Sequence, residues 1–363
     1  MASPKPRPGI LDLSPYVGGE SKLAGVQRII KLSSNEGALG PSPKAVAAYC
    51  AVATEMHRYP DGHAVALRRA LALAYGLDGE RIVCGAGSDE LLQLLVRAYV
   101  GPGDEVLYSR HGFLIYPIAA MSVGATPVAA DEVELTASVD HLLAAVTPRT
   151  RIVFVANPNN PTGTYLPAVE MKRLRDGLPE DVLLVIDAAY AEFVQRNDYS
   201  AGADLVEACD NVVMTRTFSK IYAMGGLRLG WAYCPGPIAD VLNRIRGPFN
   251  VSSAALAAGQ AAVEDSGFVA LAQRHNEYWR GWLADQLTRL GLTVVPSVAN
   301  FVLVRFPTAP GRDAAAADAH LRSQGLIVRA MGSYGLPDSL RITIGRDDEL
   351  RAVVAALSEF MGK

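Results

Sequence analysis

Cysteine, histidine and surplus charge are all sparse in this chain of 363 residues. The four cysteines (Cys50, Cys84, Cys209 and Cys234) stand far apart and form no Cys-x-x-Cys pair, which removes the usual signal of a redox or zinc-binding couple. Cys84 and Cys209 lie in apolar runs and are expected as inert core thiols. The six histidines show no His-Glu-x-x-His or other ligand spacing. His63, His141, His275 and His320 read as surface or helix-face residues, and no metal is expected. A formal net charge of −3 excludes the basic footprint of a nucleic-acid or anionic-membrane binder. No stretch reaches the ~18 apolar residues that a membrane span needs. The opening Met1 to Ile10 is proline-rich without an apolar core, so no secretory signal is read there and a soluble cytoplasmic protein is expected. Internal repeats and low-complexity segments are missing too, although the short run from Ala314 to Ala317 suits a helix.

What is present is core-forming material: 50% of the residues are hydrophobic and 20% charged. The length suggests two domains. Residues 1–30, punctuated by proline and glycine, read as an irregular arm. From about residue 65, helical spacing alternates with short apolar strands. Helices are expected over 65–75, 89–100 and 113–121, and strands over 81–84, 105–108, 126–129, 151–156, 182–186, 211–215 and 229–233. The runs RIVFVA (151–156) and VLLVI (182–186) are continuously apolar and rich in β-branched residues, as in strands buried on both faces of a mostly parallel sheet. Helices between such strands imply right-handed crossovers and an α/β layer architecture. After about residue 250 the pattern changes to a long helical stretch over 252–290, broken near Gly267, then strands at 301–305, 327–329 and 340–344 and a helix ending near Phe360. The expected organisation is an arm (1–30), a large α/β domain (31–260) and a small α+β domain (261–363).

The most informative stretch is Thr217-Phe218-Ser219-Lys220, with Arg228 eight residues on in Gly225-Gly226-Leu227-Arg228-Leu229-Gly230. An amine beside a hydroxyl and a guanidinium, in a glycine-rich turn between apolar strands, suits an imine-forming lysine next to a phosphate site. The cofactor that brings both an aldehyde and a phosphate is pyridoxal 5'-phosphate. Gly85-Ala86-Gly87-Ser88-Asp89-Glu90 follows a strand and opens a helix, whose free N–H groups and dipole favour an anion. Its sixth position is Glu90 rather than glycine, so the turn fits a phosphate monoester better than a dinucleotide; a plain capped helix start, with Ser88 or Asp89 as cap, is the alternative. Asn157 ends the RIVFVA strand in Asn157-Pro158-Asn159-Asn160-Pro161, where α/β sheets bind ligands, and is expected to donate a hydrogen bond into the crevice. Asp187 ends the VLLVI strand, where a carboxylate can pair with a pyridinium nitrogen and keep it protonated; a helix-cap aspartate is the alternative. Tyr190, three residues on, can hydrogen-bond the cofactor phenolate. Arg341, inside the strand pattern Leu340–Ile344, suits a carboxylate or phosphate.

These pieces (GAGSDE, ANPNNPTG, DAAY and TFSKIYAMGGLRLG, in that order) resemble the fold-type I pyridoxal-phosphate aminotransferases. The segments LSSNE (32–36), RYPDG (58–62), PFNV (248–251), ANF (299–301) and LRITIG (340–345) are most similar to the histidinol-phosphate aminotransferase family. The resemblance covers nearly the whole chain from about Leu13. It implies an aspartate-aminotransferase-like fold, with a mostly parallel seven-stranded sheet in the large domain. It also implies that Lys220 is the imine-forming lysine and acid–base catalyst, that Asp187 pairs with the ring nitrogen, and that Asn157 and Tyr190 contact the ring oxygen. Gly87, Ser88, Asp89, Ser219 and Arg228 would hold the phosphate, and Phe113 would stack on the ring. Arg341 would bind the substrate anion, with Arg329 and Tyr16 nearby. Tyr59 would reach the phosphate of a neighbouring subunit, which implies a homodimer with shared sites. The reaction implied is transamination between histidinol phosphate and 2-oxoglutarate. Aromatic amino-acid or prephenate transamination is an alternative, with a decarboxylase, a lyase or a non-catalytic regulator behind it. Arg110-His111-Gly112 departs from the Pro-Thr pair frequent before the stacking aromatic, and Gly225 from the frequent alanine.

Overall fold

The computed structural model describes residues 4–7, 9–16, 18–23 and 28–363, so parts of the expected arm (1–3, 8, 17 and 24–27) lie outside the described residues. The central feature is a seven-stranded sheet in the order Ile82–Gly85, Gly230–Tyr233, Val212–Thr217, Leu183–Asp187, Thr150–Ala156, Glu105–Ser109 and Thr126–Ala130. Gly230–Tyr233 runs antiparallel to both of its neighbours, and the pairings from Val212–Thr217 to Thr126–Ala130 are parallel. Alternate residues serve opposite faces. Val153, Val155, Leu184 and Ile186 belong to one apolar cluster, and Ile152, Phe154, Leu183 and Val185 to another. Both faces are therefore covered, which is why these strands read as unbroken apolar runs.

A second, four-stranded antiparallel sheet has the order Thr293–Val295, Phe301–Arg305, Ser339–Thr343, Arg329–Ala330. It packs through Val302, Val304, Leu340 and Ile342 on Leu283 and Leu287 of the helix Ser266–Arg289 and on Leu350, Val353 and Leu357 of the helix Asp347–Met361. The single strand expected at 327–329 is two short ones. Leu326–Ile327 pairs in parallel with Ile30–Lys31, while Arg329–Ala330 joins the antiparallel sheet. The long helical stretch breaks at Asp265 rather than Gly267. Asp265 has non-helical torsions, and its carboxylate is held by Ser42 and, at 3.1 Å, by the Lys44 ammonium. Gly267 stays inside a helix, because a glycine alone costs a helix about 1 kcal/mol and does not stop it.

The parallel strands carry Ser109, Ala156, Asp187 and Thr217 to the same edge of the large sheet. The segment from Leu32 to Gly37 crosses to that edge from the smaller sheet: the Thr343 N–H donates to Leu32 O at 3.0 Å, and Gly37 lies against Ala223. The space between is a cavity of ≈ 380 Å³.

Candidate active site

Lys220 follows the Val212–Thr217 strand in a turn fixed by local hydrogen bonds. The Ser219 N–H donates to Thr217 Oγ1 at 3.1 Å, Met224 N–H to Phe218 O at 3.0 Å and Ala223 N–H to Lys220 O at 3.0 Å. The Lys220 amine projects into the cavity and donates to Ser34 O at 3.3 Å. Burial, with the Arg341 and Arg228 guanidinium groups behind it, lowers the amine to about 8, against the opposing pull of Asp89 and Glu36. A sizeable fraction is thus neutral near pH 7 to 8, and a neutral amine is what a nucleophile requires.

Asp187 is the last residue of its strand and is buried. Burial raises its carboxyl to about 6, opposed chiefly by the Tyr116 hydroxyl, which donates to Oδ2 at 2.9 Å. Oδ1 is buried with no partner among the described residues. An unpaired buried acceptor is costly and marks a place for a donor supplied from outside the chain. Tyr190 lies on the same wall, and its hydroxyl accepts from Asn35 Nδ2 at 2.9 Å.

The turn at 85–90 opens the helix Ser88–Tyr99, whose cap position is Gly87, at φ +84° and without a side-chain cap. Neither Ser88 nor Asp89 caps it, and no side chain among the described residues caps the helix start. Glu90 closes the turn instead, accepting from Ala86 N–H at 2.6 Å and from Asn250 Nδ2 at 2.7 Å. A β-carbon on Gly87 would stand 2.3 Å from Arg228 Nη2, and one on Gly230 would stand 2.3 Å from the Ser88 nitrogen. Both positions need glycine so that Arg228 and the helix start can converge. Arg228 meets Asp89 Oδ2 at 3.3 Å and Ser219 Oγ at 3.4 Å. Such a cluster at a helix N-terminus suits an anion.

On the opposite side, Arg341 is buried and donates to Asn160 Oδ1 and, at 2.8 Å, to Ser33 O, while its Nε has no partner among the described residues. Arg329 stands in register with it on the adjacent strand and donates to Gly18 O at 2.7 Å. Two guanidinium groups on one wall call for an anion between or beside them. Tyr16 and Phe113 meet edge to face, with ring centroids 6.2 Å apart, at this end of the cavity.

Two expected residues stand elsewhere. Asn157 is fully buried, but both ends of its amide engage the Leu166 backbone, at 3.0 Å and 2.9 Å. It braces the 157–166 loop, and only one of its two amide protons is used in these bonds. Tyr59 is 83% exposed and stacks on Phe249 with centroids 4.7 Å apart, away from the cavity that holds Lys220. The sequence reading missed Tyr116, Asn35, Asn160 and Tyr334. Tyr116 carries a usable signal, since it lies three residues beyond Phe113 at helical spacing. Asn35 lies in the LSSNE segment without showing its role there, and Tyr334 reaches the site only through tertiary packing.

The comparisons with known proteins agree with this geometry. Residues 27–357 match the family described as aminotransferase class I and II. A histidinol-phosphate aminotransferase of Paramagnetospirillum magneticum is 69% identical over 362 residues, covering 100% of each chain. One from Rhodospirillum rubrum is 61% identical over 99% of this chain and 97% of the relative. Among solved structures, the histidinol-phosphate aminotransferase of Sinorhizobium meliloti, in complex with pyridoxal-5'-phosphate, superposes with a TM-score of 0.92 at 30% identity, covering 99% of this chain and 98% of that one. The aspartate aminotransferase of Thermus thermophilus with maleate shares the fold, with a TM-score of 0.81 at 23% identity over 92% and 91% of the two chains.

Proposed function

The chain belongs to the class I and II aminotransferase family, and from that premise we infer that it is a pyridoxal-phosphate-dependent transaminase of histidine biosynthesis. Its reaction interconverts histidinol phosphate plus 2-oxoglutarate with imidazole acetol phosphate plus glutamate. The observation that carries this reading is the convergence of three groups in one cavity: the Lys220 amine, the half-satisfied Asp187 carboxylate and the Arg341 fork. The residues fit the cofactor. Asp187 Oδ1 lacks a donor, which a protonated ring nitrogen supplies, and the uncapped helix start with Arg228 and Ser219 suits a phosphate monoester.

When bound, pyridoxal phosphate supplies an aldehyde that takes an amine covalently and a ring that accepts electron density. The chain's own groups do the rest. Lys220 Nζ, neutral in part because of its burial, is the covalent anchor and, once displaced, the base that takes the substrate's α-proton. Asp187 Oδ1 would hold the proton on the ring nitrogen. Tyr190 would donate its hydroxyl proton to the ring oxygen and Phe113 would cover one ring face, while Asn157, tied to the Leu166 backbone, would brace the loop beside them. Arg341, with Arg329 and Tyr16 beside it, orients the substrate anion. A phosphate and an α-carboxylate both fit a guanidinium fork, so one site serves both half-reactions.

The exposed surface around Tyr59 supports a homodimer. Tyr59, Phe249, Met56 and Tyr49 form an apolar patch beside a depression of ≈ 820 Å³, and such patches mark interaction sites. Tyr59 stands clear of its own chain's cavity and completes the phosphate site of the second copy. The cysteines are free thiols, in keeping with a reducing, cytoplasmic setting, and no described helix is long and apolar enough to cross a membrane.

The test is a half-reaction panel. The cofactor-loaded protein is mixed separately with histidinol phosphate, phenylalanine, tyrosine and glutamate, and loss of visible absorbance is followed. Histidinol phosphate and glutamate are expected to react fastest, and a preference for phenylalanine would overturn the substrate assignment. Lys220→Ala is expected to show no turnover and no cofactor mass retained after borohydride reduction. Cofactor attached to another lysine would overturn the anchor.

A further inference from the structure

Asn35 is 1% exposed and holds a left-handed backbone at φ +55°, a conformation that asparagine tolerates better than most residues. Every polar group on it is engaged. Its N–H donates to Thr343 Oγ1 at 3.0 Å, and that hydroxyl donates back to Asn35 Oδ1 at 3.1 Å, closing a ring between the two residues. Its carbonyl accepts from Asn300 Nδ2 at 3.1 Å. With Oδ1 committed to Thr343, Nδ2 faces the Tyr190 oxygen at 2.9 Å.

The polarity of that last bond matters. A phenol has one proton and can also accept. The Asn35 amide nitrogen only donates, so the Tyr190 oxygen accepts there and its single proton is left to point into the cavity. Thr343 lies two residues after Arg341 on the same strand, so the tie also connects the anion-binding strand to the phenol.

We propose that Asn35 is a positioning residue for the reaction: by donating to the Tyr190 oxygen it reserves the phenol proton for the cofactor's ring oxygen and fixes the phenol relative to the substrate arginine. This rests on the reading that Tyr190 faces that ring oxygen. A donated proton stabilises the ring oxygen as an anion and thereby sets the pH at which the Lys220–cofactor linkage takes up its own proton. Asn35→Asp is nearly isosteric but replaces the donor by an acceptor, which draws the phenol proton away from the cofactor. Asn35→Gly removes the donor without adding charge and suits the left-handed backbone.

The experiment is a visible-absorbance pH titration of the cofactor-loaded protein for the wild type, Asn35→Asp, Asn35→Gly, Tyr190→Phe and the Asn35→Asp/Tyr190→Phe double variant. Tyr190→Phe and Asn35→Asp are each expected to shift the linkage midpoint upward by about one pH unit. Asn35→Gly is expected to shift it less but in the same direction. The double variant is expected to match Tyr190→Phe alone, because Asn35 acts through the phenol. A change in folding stability alone does not move this midpoint. If Tyr190→Phe shifts the midpoint while both Asn35 variants titrate like the wild type, the role of Asn35 is overturned and that of Tyr190 stands. If Tyr190→Phe itself shifts nothing, both fall. If the double variant shows the two shifts summed, the Asn35→Asp effect is one of added charge and the proposal is overturned.

Discussion

Asp187 and Lys220 meet the same poorly solvated cavity, and burial pushes each toward its neutral form. The carboxyl rises from its ordinary 3.8 to about 6, and the amine falls from 10.5 to about 8. A carboxyl raised in the folded state binds its proton more tightly there than in the unfolded chain. Its favourable contribution is therefore complete below about pH 3.8 and is lost as the pH rises through about 6. Above that range the ionised Asp187 costs the cofactor-free protein about 3 kcal/mol. Asp187→Asn is accordingly expected to raise the Tm of the cofactor-free protein at pH 8, with the gain shrinking toward pH 4, while removing most transaminase activity. Thermal melts across that range check it; a gain independent of pH would show that the carboxylate is not the source. The sequence revealed both residues because each sits where a recognisable strand or glycine turn ends. It did not reveal Tyr116 as the partner of Asp187, since that contact joins a helix to a strand far along the chain.

At the scale of elements, the proposed anion cradle depends on how closely two segments approach. A β-carbon at Gly230 would meet the Ser88 nitrogen at 2.3 Å and the Gly87 carbonyl carbon at 2.6 Å, both backbone atoms with little room to yield. Gly230→Ala is expected to cost ~1–3 kcal/mol in stability by overpacking, and to weaken cofactor binding about tenfold by displacing the helix start. Melting curves and equilibrium dialysis of pyridoxal phosphate read the two effects separately. Lost stability with unchanged affinity would remove the helix start from the phosphate site. The strands around this turn were legible because two-sided burial leaves an unmistakable apolar run. The helices Ala168–Gly177 and Gly236–Ile245 were not read from the sequence. The first is dominated by charged residues, with only Met171 and Leu174 buried, so its apolar stripe is too thin to read. The second buries three residues behind a proline start.

At the scale of the molecule, the shared-site reading has a direct test in subunit mixing. Lys220→Ala and Tyr59→Asp chains are each expected to be nearly inactive alone. Unfolded together and refolded, they are expected to recover about a quarter of wild-type activity, because half the dimers are mixed and each mixed dimer holds one site with both native residues. Mixed dimers that form and stay inactive would return Tyr59 to its own subunit. The family-like motifs made the site legible across the chain, yet the pairing of residues 30–31 with 326–327 was not, because Ile30–Lys31 is too short to show a strand pattern. That pairing with Leu326–Ile327 bears on how the protein is made. The segment that presents Ser34 and Asn35 to the cavity is synthesised long before its partner strand, because Ile30 pairs with Leu326. A nascent chain must hold this segment unpaired until that strand is made, exposed to misassembly or to chaperones. The cavity wall that it forms is completed only once that partner strand is made, so a product truncated before Leu326 carries no finished catalytic chamber.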